Sequence, residues 1–210
     1  MQRRFKPEES PMSLEPLVQL WMLRILIPMG GLKPMVRDSL GNHEVFIALG
    51  AGDAALDVAS DAKRHAVVLP KLKALWREAE ACADELQAPA VLRSNVERLG
   101  ASLGLDKTDR SLLEWACLVS ANRLLLDTAN TLGSMYRGTT FSVLARILGL
   151  PTSEVQRALG PRSLLLRSGL LRLDSRGRAD LGDKLELISQ DFANAIQMPE
   201  IVGADRKLTI

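Results

Sequence analysis

Histidine, cysteine and aromatic side chains are scarce in this chain of 210 residues, and each shortage closes off a class of function. The two histidines, His43 and His65, are far apart, and neither stands at metal-ligand spacing from Cys82 or Cys117. No metal site is expected. The two cysteines sit among apolar neighbours and read as reduced core residues of an intracellular protein. Catalytic signatures are missing too: there is no G-x-x-x-x-G-K-S/T, no G-x-G-x-x-G and no G-x-S-x-G. The chain is therefore expected to be no enzyme and to hold no cofactor. Aromatics make up 4% of the residues, so the core must be built from Leu, Ala, Ile and Val, which favours helices. No apolar run is long enough to span a bilayer. The best of them, 16–32, is broken by Gln19, Arg24 and Pro28, so a cytoplasmic chain with no membrane partner is expected.

What is present is ordinary in bulk, with 47% hydrophobic and 25% charged residues and a net charge of +2. The informative stretch is 137–187. Phe141, Leu144, Ala145 and Leu148 recur at helical spacing, and Gly149 follows where a left-handed residue closes a helix. After Leu150-Pro151, Thr152 or Ser153 can cap a second short helix that turns Val155, Ala158 and Leu159 inward, and Gly160-Pro161 ends it. Leu170 to Asp174 alternates as a half-buried strand does, Ser175-Arg176-Gly177 offers a turn with Gly177 at its tip, and 178–181 can return as the partner strand. Two short helices and a hairpin, in that order, outline a winged helix-turn-helix.

Upstream, the chain reads as helical. Residues 1–13 form a polar arm. The stretch 14–27 is apolar around nearly its whole circumference, the mark of a buried helix, and the exception within it, Arg24, needs an anionic or carbonyl partner there. Asn42 offers a cap for a short helix carrying Val45, Phe46 and Leu49, while 51–66 is a loop plus a short helix. The clearest amphipathic pattern, 69–86, puts Leu72, Leu75, Trp76, Ala79 and Ala83 on one stripe. Pro89 opens a helix with Leu92, Val96 and Leu99 inward as far as Gly104. Asp106 then caps another, with Asp109 as its capping-box partner. The fold expected is mainly α: a helical domain over 14–104 packed on a winged-helix domain over 105–189 with a small β-wing, followed by a linker or truncated end over 190–210.

The charge is unevenly spread. Between Arg137 and Arg178 there are eight arginines and no lysine, against Glu154 and Asp174 alone. Gln156 and Arg157 fall on the outer face of the second short helix, Arg162 just beyond it, and Arg176 and Arg178 at the wing. These are the positions from which a winged helix meets nucleic acid, and equally those from which it meets a protein partner. The plain alternative is that arginine is a good helix former and a common solvated surface residue.

Three segments together resemble the N-terminal region that precedes the ATPase core in a group of bacterial AAA family ATPases. They are Leu20-Trp21-Met22-Leu23-Arg24-Ile25-Leu26-Ile27-Pro28-Met29-Gly30-Gly31, the helix led by Leu103-Gly104-Leu105-Asp106, and a third running from Leu148-Gly149-Leu150 through Leu166-Arg167-Ser168-Gly169-Leu170-Leu171-Arg172-Leu173-Asp174 to Asp183-Lys184-Leu185-Glu186-Leu187. The resemblance covers most of 14–187 and rests on Leu, Gly and Arg patterns. It implies a hexamer-forming ATPase in which this stretch recognises a substrate protein, adaptor or nucleic acid. No Walker A motif stands before Ile210, so the chain is expected to be an excised N-terminal fragment rather than a stand-alone relative, with oligomerisation through the absent ATPase core. The competing expectation is a free-standing winged-helix DNA-binding transcription regulator, which would be dimeric on a two-fold site. A third is an interaction scaffold without a nucleic-acid role.

Overall fold

The computed structural model describes residues 14–37, 43–52, 60–174 and 177–199. The arm over 1–13, the Asn42 cap, Ser175, Arg176 and the tail over 200–210 lie outside the described residues. The chain is mainly helical, with one small two-stranded antiparallel sheet among the described residues. It divides into two compact units: residues up to 86 with Leu124–Ser134 form the first, and Gln87–Arg123 with the chain from Met135 onward forms the second. The units therefore part at 86/87, and the first takes a later helix from the second's span.

In the first unit, helix α1 (Pro16–Leu26) buries nine of its eleven residues, as an all-round apolar sequence must. Arg24 is among them, and its guanidinium takes both carboxylate oxygens of Glu80, Nε to Oε2 at 3.0 Å and Nη2 to Oε1 at 2.7 Å. Glu80 belongs to the long helix α4 (Asp61–Ala81), which follows α2 (Leu32–Arg37) and α3 (His43–Ala48). Here the periodicity misleads: the helix starts at Asp61, not near Leu69, and runs through Pro70. Pro70 lacks one backbone donor, but Val68 and Leu72 on either side are fully buried, and that burial holds the helix together across the gap. Cys82, expected in the core, is exposed at the C-terminal cap of α4. The last part of this unit is most of α7 (Arg123–Asn130), reached after two helices of the second unit. Gly31 is required beside it: a Cβ there would come within 2.5 Å of Thr131 Oγ1 and 3.0 Å of the Ile25 carbonyl.

In the second unit, α5 (Ala90–Leu103) begins at Pro89 and ends on left-handed Gly104. Helix α6 (Lys107–Ala121) opens with the expected capping box: Asp106 accepts from the Asp109 amide at 2.9 Å, and Asp109 accepts from the Asp106 amide at 3.3 Å. Helix α8 (Arg137–Leu148) closes on Gly149 at φ +69°. Thr140, Leu144, Ala145 and Ile147 are its buried residues, while Leu148 is half-buried. Helix α9 (Thr152–Ala158) has Pro151 at its N-cap position with no side-chain cap bond, so neither Thr152 nor Ser153 caps it and Thr152 is its first helical residue; Val155, Ala158 and Leu159 are buried. A one-turn helix α10 (Leu164–Arg167), capped by Ser163, leads into strand β1 (Leu171–Leu173).

The return strand differs from expectation. It is β2 (Leu185–Leu187), paired Leu171 to Leu187, Arg172 to Glu186 and Leu173 to Leu185. The short stretch Arg178-Ala179-Asp180-Leu181 has a single large apolar side chain to pair, whereas Leu185-Glu186-Leu187 sets two leucines against two leucines and puts Glu186 across from Arg172. Ala179 instead makes a separate antiparallel bridge with Met135, and Leu181–Lys184 coils into a helical turn, α11. Gln190–Ala195, placed in a linker by the thinning pattern, is helix α12, with Ala193 and Ile196 buried.

Candidate interaction surface

The second unit positions the arginines from within. With Val155, Ala158 and Leu159 turned into the core, the helical period leaves Gln156 and Arg157 exposed on the opposite face of α9. Arg162 is exposed in the turn after it, and Arg178 is exposed in the connection between β1 and β2. Arg176 lies outside the described residues. Arg172 is exposed on the outer face of β1.

Arg137 and Arg157 are drawn into the unit's own structure. Arg137 Nη2 donates to the Leu159 carbonyl at 3.1 Å, and its guanidinium lies 5.5 Å from the centre of the Phe141 ring, tying the start of α8 to the end of α9. Arg157, on the outer face of α9, forms an ion pair with Asp106 at 2.5 Å. The same junction is bonded a second time, since Thr108 Oγ1 donates to Glu154 Oε2 at 2.7 Å. Burial alone would push the Asp106 carboxyl up, but the Asp109 amide and the Arg157 guanidinium outweigh it and hold it below its ordinary value. For Asp109, burial wins and the carboxyl is pushed up.

Comparison with known proteins returns nothing: no family model, no curated protein and no solved structure matches the chain. Its function must be read from its own surface.

Several side chains that shape this surface were invisible to pattern. Tyr136, the residue before α8, is 63% exposed, and the Arg178 guanidinium sits 5.6 Å from its ring centre. Lys184 is completely buried. Its ammonium donates to the Asp174 carbonyl at 3.3 Å and the Gly177 carbonyl at 3.0 Å, and lies 3.7 Å from the Asp174 carboxylate. A lysine between Asp183 and Leu185 gives no sequence sign of such a role. It acts as an internal pin for the loop that presents Arg178. No group of three or more His, Cys, Asp or Glu residues able to hold a metal occurs among the described residues. Nor is any helix among them long and apolar enough to cross a membrane.

Proposed function

We propose that the chain is a non-catalytic recognition module of the kind that precedes the ATPase core in bacterial AAA family ATPases, and that its second unit is a winged helix that engages a protein partner. In this reading α6, α8 and α9 are the three helices, β1 and β2 the wing, and the Met135–Ala179 bridge the short first strand. The observation that carries the choice of a protein is the Arg157–Asp106 pair. The outward cation of α9, which would lead contact with a nucleic acid, is matched by a carboxylate of the same unit. What remains is a mixed surface of Gln156, Arg162, Tyr136 and Arg178, with an exposed aromatic and arginines of the type enriched in protein interfaces. A photo-crosslinking residue at position 156 tests this. A discrete protein adduct, lost on Arg162→Glu with Arg178→Glu, is the expected result; adducts that nuclease treatment removes would overturn it.

A second reading, a DNA-binding regulator, draws on the exposure of Arg162, Arg172 and Arg178. It requires the Arg157–Asp106 pair to open on binding. An exposed pair of this kind costs only about 0–1 kcal/mol to break, so salt-dependent binding decides between the two. In either reading the chain alone lacks a phosphate-cradling loop, and calorimetry should find no magnesium-dependent ATP binding. Tight binding there would defeat both.

A further inference from the structure

We propose that a half-open cavity in the first unit, between α2 and the opening turns of α4, is a binding site for a small organic anion: a carboxylate carried on an apolar body. The cavity holds about 500 Å³, within the usual ~300–1,000 Å³ of small-molecule sites. Each helix contributes one face. Lys33, Val36 and Arg37 stand at i, i+3 and i+4 on α2, and Asp61, Ala62 and His65 at i, i+1 and i+4 on α4. The lining surface is mostly apolar, Val36 is buried, and Lys33, Arg37, Asp61 and His65 supply its polar groups.

The charge balance selects the ligand. Asp61 is the lone acid of the lining and is already engaged, because Arg64 Nη1 lies 3.3 Å from its Oδ1 while also donating to the Val36 carbonyl at 3.4 Å. Lys33 and Arg37 make no ion pair among the described residues, and they are like charges four apart on a helix of six residues. Such a pair weakens its own helix, and a bound anion between the two would reverse the sign of that effect. The lining is too apolar for a bare inorganic ion and holds one engaged carboxylate, too little for a cation. A carboxylate facing Lys33 and Arg37, with its hydrocarbon part over Val36 and Ala62, satisfies both halves of the surface.

The test uses 1-naphthoate as probe and 1-naphthalenemethanol as its uncharged counterpart, titrated into the full chain and followed by backbone amide shifts. Naphthoate should bind about tenfold more tightly than the alcohol, as two exposed ion pairs allow, with shifts centred on Val36 and Ala62. Lys33→Met with Arg37→Met keeps the aliphatic stems and should abolish that preference while leaving alcohol binding in place. Lys71→Met with Lys73→Met, farther along α4, should change nothing. Equal affinity for the two probes, or naphthoate shifts spread over basic residues throughout the chain, would overturn the proposal. So would a preference that survives in the α2 variant.

Discussion

Glu114, in α6, carries its carboxyl where burial and then the charge of Glu97 push its pKa up to about 7, against the opposing pull of Arg93 and Arg110. A folded-state value raised above the ordinary carboxylate range means that the folded chain binds the proton more tightly than the unfolded one. The resulting stability is present below about pH 4.5 and is lost as the pH rises through about 7. Glu114→Gln should therefore be more stable than the parent at pH 8 by about 1–2 kcal/mol, discounted for partial solvent exposure, and nearly equal to it at pH 4.5, as urea melts at the two pH values can show. Cys117, three residues on, is buried with its thiol pushed up to about 12, first by burial and then by Glu114. Cys82 is exposed. An aromatic disulfide reagent should titrate one fast thiol in the native chain and the second only on unfolding. Arg24 gives the third case: Glu80→Ala would remove the carboxylate that takes two hydrogen bonds from a guanidinium only 9% exposed, and should cost about 1–3 kcal/mol in a denaturant melt.

Among the elements, those fixed by local chemistry were readable in the sequence. The Asp106–Asp109 capping box and the left-handed Gly149 each need only a few neighbouring residues to declare themselves, and the structure has both. The need of Arg24 for an anion was likewise legible, though its partner, 56 residues away, was not. The misses share a physical cause, which is that tertiary burial overrode local preference. Pro70 sits inside α4 because its neighbours are buried. The return strand lies at Leu185 because two leucine pairs outweigh a nearer, weaker alternation, and because Lys184 pins the intervening loop through carbonyls that no pattern announces. The outward placement of Gln156, Arg157, Arg162 and Arg178 followed from helical period and loop position, whereas the Asp106 partner of Arg157 did not. Lys184→Met should show the pin directly. Removing the ammonium leaves two loop carbonyls without their donor, and should cost about 2–4 kcal/mol and speed amide exchange at Gly177 and Ala179.

For the molecule as a whole, the two units are proposed to carry separate duties: a helical one whose cavity would take an organic anion, and a second one whose mixed, arginine-bearing surface would meet a protein. A basic surface alone does not separate a protein ligand from DNA, but the dependence on salt does. Phosphate contacts release counterions, so each one steepens the fall of affinity with salt by about one unit of slope. The decisive measurement is fluorescence anisotropy of a labelled random duplex titrated with the parent chain, Arg157→Ala and Arg178→Ala, at about 50 mM and about 200 mM salt. The account predicts that all three bind the duplex equally poorly at both concentrations. Tight binding at low salt that falls steeply at the higher one, with a slope about one unit shallower in each variant, would contradict it.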